Sequence, residues 1–261
     1  MGLQREPLPT RVQDTPAMPA SFDDALDRGL DHLGLEGHLG PDSSARAAIN
    51  GHVRLLLAWT RHINLTSIRE PAAVATAHVL DSLSALPLLR DQGAERVLDL
   101  GSGGGYPGLP LAAALPGAAF TLVEPIAKKA RFLRAVVEAT GLADRVTVLT
   151  VRAETLAADP GRRGTWSAVT ARAVASAADL VELSFPLLAP GGSLVAWKRG
   201  DLATELAAAR RAIDALGGGT LVVRDVTVAG LADHRLAIAM PTGAIPAAYP
   251  RDPSARRRNP W

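Results

Sequence analysis

The chain has no cysteine, which excludes disulfides, thiolate nucleophiles and cysteine-ligated metals or clusters. Aromatic residues make up only 4% of its 261 residues, so the core has to be built from aliphatic side chains and alanine. It contains no run of about 18 consecutive apolar residues, the length of a membrane-spanning helix. The first residues also lack the basic, apolar and small-residue series of a secretory signal. Together these absences lead us to expect a soluble cytoplasmic protein without a membrane partner. Net charge is nearly absent too: 28 basic against 26 acidic side chains leave +2, and residues 249–261 alone, with four arginines and one aspartate, carry +3. The remainder is close to neutral, so a nucleic-acid partner has to be argued from local patches and not from bulk charge. The six histidines, His32, His38, His52, His62, His78 and His234, show no close metal-ligand spacing, and no metal is expected.

What the sequence does have is glycine in one conspicuous place, the stretch Arg96-Val97-Leu98-Asp99-Leu100-Gly101-Ser102-Gly103-Gly104-Gly105-Tyr106-Pro107-Gly108. Val97, Leu98 and Leu100 suit a buried parallel strand, and Leu109 to Leu115 suit the helix after it. Glycines between a strand and a helix allow positive φ and close backbone approach, and free N–H groups at the helix start can face a polar or anionic ligand. The dinucleotide fingerprint fails here, because the sixth position counted from Gly101 is Tyr106. The pattern acidic-x-Gly-x-Gly-x-Gly (Asp99, Gly101, Gly103, Gly105) instead resembles the first motif of S-adenosylmethionine (SAM) dependent methyltransferases. A plain tight turn gives the same letters, so context decides. The apolar run Ala119 to Val123 ends on Glu124, about 20 residues past the loop, where a carboxylate at a strand tip reaches ribose hydroxyls. The other reading of Glu124 is a helix-start carboxylate suited to the helix dipole.

Patterning divides the chain. Residues 1–20, with four prolines, are expected to be disordered. Residues 21–92 read as a helical region, with a capping-box-like start at Ser21 and Asp24, a second helix from Pro41-Asp42 and a third after Pro71. Residues 93–240 alternate strands and helices, with strands near 96–100, 119–123, 146–150, 167–171 and 193–197. Pro190-Gly191-Gly192 is expected to make the turn before the fifth strand. The runs Leu221 to Val228 and Arg235 to Ala239 are expected to close the sheet as an antiparallel pair. The basic tail, 241–261, is read as a mobile arm outside the active site, either meeting RNA phosphates through Arg256, Arg257 and Arg258 or simply solvated.

A set of motifs in order makes a more specific resemblance. The run Trp59…Asn64-Leu65-Thr66-Ser67-Ile68-Arg69-Glu70-Pro71…His78-Val79-Leu80-Asp81-Ser82 precedes the glycine loop. After it come Lys128-Lys129-Ala130-Arg131-Phe132-Leu133, Arg152-Ala153-Glu154, Thr170-Ala171-Arg172-Ala173 and Ala196-Trp197-Lys198. Over roughly residues 50–240 the chain resembles the RsmG (GidB) family, bacterial small-subunit 16S ribosomal RNA guanine-N7 methyltransferases. Two departures are modest: Glu124-Pro125-Ile126 where the family commonly has Asp-Ser-Leu, and Arg199 between Lys198 and Gly200.

The resemblance implies an α/β, Rossmann-like class I SAM-dependent methyltransferase sheet carrying an N-terminal helical region. It implies SAM as methyl donor, small-subunit ribosomal RNA or the 30S particle as substrate, and a monomer. Gly101, Gly103, Gly105 and Tyr106 are then placed in the SAM loop, Glu124, Pro125 and Ile126 at the ribose, and Ala153 and Glu154 beside the adenine. Glu154 read without the resemblance is equally a helix-capping carboxylate. Arg172 is expected at the cofactor and substrate face and, with Lys198, to serve the transfer itself, both pointing into one crevice at the open sheet edge. The bland alternative for that pair is a surface salt bridge. Asn64, His78, Asp81 and Lys198 are the expected RNA contacts, although His78 and Asp81 on one helix face equally suit bracing of the Asn64 loop. Two rivals share the glycine loop: a methyltransferase of a small molecule, and a nucleotide-binding module without chemistry.

Overall fold

The computed structural model describes residues 8–37 and 39–261; His38 and residues 1–7 of the stretch expected to be disordered lie outside them. The rest of that stretch is ordered, contrary to expectation. Leu8, Val12 and Met18 pack against the core, and the Trp59 indole donates to the Pro9 carbonyl at 2.7 Å. A few apolar side chains set between prolines are enough to cover the side of a helix with only one 3₁₀ turn, Val12–Asp14, of their own.

The helical region begins with α1 (Ala20–Leu33), which starts at Pro19 with no side-chain cap in place of the expected Ser21–Asp24 box. The second helix, α2 (Ser44–Thr60), is capped by the Ser43 hydroxyl, which accepts from the Arg46 N–H at 3.1 Å. The buried Arg46 guanidinium ties α2 to Asp23 and Asp27 of α1 at 2.9 and 2.6 Å. The third helical run, α3 (Pro71–Asp91), is long and apolar enough to cross a membrane by length and composition alone. Its apolar face is accounted for by the core, where Val74, Val79, Leu80, Leu83, Leu86 and Leu89 are buried. Within it, Ala75–Leu80 is π-helical, an irregularity frequent at functional sites.

Seven strands complete the described chain: β1 (Arg96–Leu100), β2 (Ala119–Val123), β3 (Val146–Leu149), β4 (Trp166–Arg172), β5 (Leu188–Arg199), β6 (Gly219–Asp225) and β7 (His234–Pro241). Their order is β3-β2-β1-β4-β5-β7-β6, parallel from β3 to β5, with β7 antiparallel to both β5 and β6. The α/β Rossmann-like expectation and the closing antiparallel pair both hold. The fifth strand differs: Pro190-Gly191-Gly192 lies inside β5 as an irregularity, and pairing jumps from Trp166–Leu188 to Ala168–Ser193. A Cβ at Gly192 would stand 3.0 Å from the Trp166 and Ser167 carbonyls, so the bulging chain can pass there only as glycine.

Helices α4 (Gly108–Ala114), α5 (Ala127–Ala139), α6 (Ala153–Ala158), α7 (Ala177–Ser184) and α8 (Ala203–Ala215) connect the strands. One apolar cluster joins the N-terminal helices, α4 and α5 to the sheet, and a second joins α6, α7 and α8 to it. The tail is not a free arm. It folds back, forms α9 (Pro253–Arg258), and sets Tyr249 and Trp261 against the second cluster.

The contact between α1 and α3 turns on Gly29, where a Cβ would fall 1.9 Å from Leu80 Cδ1. Gly29→Ala is therefore expected to destabilise by about 1–3 kcal/mol through overpacking, despite alanine's better helix propensity. In urea unfolding, Gly29→Ala combined with Leu80→Ala should cost less than the sum of the single changes; strict additivity would mean the two residues do not touch.

Candidate functional site

The glycine loop sits where the sheet order reverses, at the carboxyl ends of β1, β2 and β4, the usual place for ligands in such sheets. Gly101, Gly103 and Gly105 have φ of 70°, 54° and 92°, a backbone region that other residues rarely enter. A Cβ at Gly105 would lie 2.4 Å from Leu109 Cδ1 and 2.8 Å from His52 Nε2. The loop's donors turn inward, against expectation. Gly101 and Ser102 N–H donate to the Val123 carbonyl at 2.8 and 3.0 Å, and Gly105 N–H to the Ser102 carbonyl at 2.6 Å. The glycines thus provide close approach, not a ring of free amides.

Glu124, buried at the tip of β2, accepts from Gly103 N–H at 2.9 Å through Oε2 and from Ile126 N–H at 2.8 Å through Oε1. It does the helix-start work and also fastens the loop, and a carboxylate with two such bonds keeps acceptor capacity for a ligand. Below it the Asp99 carboxylate accepts from Thr170 Oγ1 at 2.9 Å; burial pushes its pKa up to about 6.

A cleft of about 1000 Å³ opens beside the loop. Of the residues expected at the cofactor, Gly101, Glu124, Pro125, Ile126, Ala153 and Glu154 line it. Ile126 and Val174, 44% and 40% exposed, are two of the three exposed large apolar side chains among the described residues, and both face this cleft. Carboxylates with free acceptors beside exposed apolar surface suit a nucleoside, which presents hydroxyls on one part and a flat ring on another. The residues therefore fit SAM. Gly103, Gly105, Tyr106 and Arg172 lie outside the lining of this cleft.

Tyr106 instead lies buried between two histidines, its ring centroid 4.6 Å from that of His52 and 4.7 Å from that of His78, with the Arg172 guanidinium 5.2 Å from its centre. His52 Nε2 bonds the Gly104 carbonyl at 2.7 Å. Arg172 donates to Asp81 Oδ2 at 2.9 Å, to the Ala77 carbonyl at 3.0 Å and to His78 Nδ1 at 3.1 Å. Because a guanidinium can only donate, His78 Nδ1 is the acceptor, and Nε2–H is left to donate to Thr66 Oγ1 at 2.7 Å. Asp81 Oδ1 takes the His234 Nδ1–H at 2.9 Å, and the Asp81 carbonyl takes the Trp197 indole N–H at 2.7 Å. The π-helical turn of α3 brings His78 and Asp81 together at this point.

His78 thus braces the Asn64 loop through Thr66, whereas Asp81 bonds Arg172 and His234 and not the loop; Asn64 itself is exposed. Arg172 and Lys198 share a pocket of about 190 Å³ with Asp81 and His234, but their charged ends part company. Lys198 Nζ donates to Glu205 Oε1 at 2.6 Å and to the Ala175 carbonyl at 2.8 Å. Both side chains are mostly buried, so the expected open edge is closed by ion pairing. Sequence reasoning missed His234 and Trp197 as partners of Asp81, since separations of 153 and 116 residues leave no local signal. It also missed Val174 and Asp179 in the cleft, on the loop and helix after β4.

A family model described as rRNA small subunit methyltransferase G, GidB, matches residues 45–230. The ribosomal RNA small subunit methyltransferase G of Roseiflexus sp. (strain RS-1) is 42% identical over 205 residues, 78% of this chain and 87% of that protein. Its counterpart in Geobacter sp. (strain M21) is 36% identical over 218 residues, 84% and 96% of the two chains. Among solved structures, an O-methyltransferase from Bacillus cereus in complex with SAH superposes with a TM-score of 0.54 at 17% identity, covering 79% of this chain and 95% of that one. The cofactor-bound protein Rv0187 from MTB gives 0.53 at 22% identity over 82% and 96%. These likenesses share the fold.

Two measurements test the buried network. Asp81→Asn leaves Arg172 without its anion and should lower stability by about 3–5 kcal/mol in urea unfolding, the cost of breaking a buried pair; a loss below about 1 kcal/mol would mean Arg172 finds another partner. Burial lowers the pKa of both His52 and His78 from 6.5 to about 4, and the Arg172 charge acts in the same direction. The unfolded chain takes up these protons first as pH falls, so stability held above pH 6.5 is lost as pH drops toward 4. Replacing His52 by Gln should remove on the order of 2 kcal/mol of that loss between about pH 7.5 and pH 5. An unchanged pH slope would show that His52 accepts a proton in the folded protein.

Proposed function

The chain belongs to the GidB family, rRNA small subunit methyltransferase G, and from that membership we propose that it transfers a methyl group from SAM to N7 of a guanine in 16S ribosomal RNA. The reading takes RNA of the small subunit, free or within the 30S particle, as substrate, with the enzyme acting as a cytoplasmic monomer. The observation that carries it is the glycine loop serving as a shared wall. On one side Glu124 fastens Gly103 beside the nucleoside-sized cleft, and on the other Tyr106 and Gly104 rest on the His52, His78 and Arg172 network that holds the Asn64 loop.

SAM bound in the cleft supplies an electrophilic methyl group on a sulfonium. Guanine N7 has a free lone pair and needs no base to deprotonate it first. That agrees with a site whose histidines are buried, neutral and already hydrogen-bonded. The chain's own work is orientation, which can supply several kcal/mol by alignment alone. Gly101 would let the backbone close on SAM, Glu124 would accept its ribose hydroxyls, and Ile126 and Val174 would give the adenine an apolar seat, with Glu154 toward its amine. Arg172, clamped by Asp81 and His78, holds the loop side of the site, and Lys198 orders residues 175–177 through Ala175 and Glu205. Asn64, exposed on its braced loop, is the residue of this set placed to meet RNA. Single-stranded or splayed nucleotides are the accessible form of such a base.

Methyl transfer from labelled SAM to 30S particles, to free 16S RNA and to small acceptors tests the reading. Label in RNA as 7-methylguanine is the expected result, whereas label only in small acceptors favours the small-molecule alternative and label in none favours a binding module. Glu124→Gln should weaken SAM by about 1–3 kcal/mol in calorimetry, since it unfastens Gly103 and removes a charged acceptor. A change within error would leave Glu124 as a helix-start residue alone.

A further inference from the structure

The segment 249–261 lies beyond the residues matched by the family model, yet it builds one wall of the cofactor cleft. Glu182 on α7 is 0% exposed, and among the described residues its side-chain partners all come from this segment. The Arg251 N–H donates to it at 2.7 Å, the Arg251 guanidinium at 2.7–3.2 Å, and the Trp261 indole at 2.8 Å. Arg251 also lies over the Trp261 ring, 4.2 Å from its centre. An ionised carboxylate without water needs such partners to remain in the core, so the segment is fastened at both ends. What it holds between those ends is α9, and α9 lays Arg256, Arg257 and Trp261 along the cleft.

Arg256 carries the inference. Its side chain is 9% exposed. One Nη2–H donates to Glu154 Oε1 at 2.9 Å, and Nη1 stands 3.8 Å from Asp179 Oδ1. Its Nε–H is buried with no acceptor. Arg256 itself lines the cleft. Glu154 Oε1 is engaged, while Oε2 carries no protein bond among those described.

We propose that Arg256 is a cofactor-positioning residue: it turns Glu154 so that Oε2 meets the adenine amine of the bound nucleoside. The inference rests on the SAM reading above. The tail is then a working wall of the site and not a detached basic arm. Arg258, exposed on α9, does not line the cleft.

The test compares the full chain with Arg256→Met and Arg256→Lys, titrating SAM, SAH and S-inosylhomocysteine by calorimetry and following unfolding without ligand. The Met variant should bind SAM and SAH about tenfold or more weakly. It should also lose much of the preference for SAH over the inosine analogue, because Glu154 no longer selects an amine; a purely structural strap would not change that ratio. Lys keeps a charge for Glu154 but lacks the guanidinium fork that reaches Glu154 and Asp179 together, and should fall between the two. Unchanged SAM affinity and an unchanged adenine-to-inosine ratio in the Met variant overturn the inference while leaving the SAM reading standing. Failure of the unaltered chain to bind SAM overturns both. Should the Met variant unfold, the Lys variant decides alone, and full SAM affinity there rejects the inference.

Discussion

A carboxylate and a guanidinium, both withdrawn from water, hold the two parts of this protein in register. Asp81 comes from a helix of the N-terminal region and Arg172 from the end of a central strand. Removing either charge from water is expensive, and the pair is tolerable only because every neighbouring group is aligned to it. His234 and Trp197 bond Asp81 from β7 and β5, while Ala77 and His78 bond Arg172 from α3. The consequence is geometric: α3 cannot slide along the sheet without stranding a charge. The Asn64 loop, attached through Thr66 and His78, is therefore positioned by the sheet itself.

The same arrangement gives the glycine loop two jobs. Its first residues face the cleft and are held by Glu124 and the Val123 carbonyl. Its last residues pack on aromatic and imidazole rings that belong to the helical region. A short loop, Gly101 to Gly105, thus separates the cleft from the packed rings of His52, His78 and Tyr106. Close backbone approach on both faces is what requires so many glycines there.

Patterning in the sequence was enough for the sheet and for half of the cleft. Alternation of apolar strands with helices is a local signal, and the residues just past β2 and β3 reach the cleft because strand ends in a parallel sheet converge there. The resemblance had placed Glu124, Pro125, Ile126, Ala153 and Glu154 at the cofactor, and they line that cleft. Tyr106 and Arg172 lie outside its lining, because a motif gives a residue's place on the chain and not the direction of its side chain. Order in residues 8–19 and in the tail was invisible for a different reason. Both are proline-rich and short of apolar residues, yet a handful of distant contacts fixes each: Trp59 with Pro9, and Glu182 with Arg251 and Trp261. Composition averages over a segment, whereas one buried carboxylate can order it.

The position of β7 between β5 and β6 bears on how the chain reaches this state. β6 lies at the edge of the sheet and pairs only with β7. An edge strand with Leu221, Val222 and Val223 in a row invites association with other chains. Charge at the end of the strand guards against this. Arg224 and Asp225 close it, and Asp225 meets Arg235 of β7 directly across the ladder at 3.0 Å. That pair both interrupts sticking between molecules and marks the alignment in which β7 must arrive, so self-association and misregistry are opposed by the same two side chains.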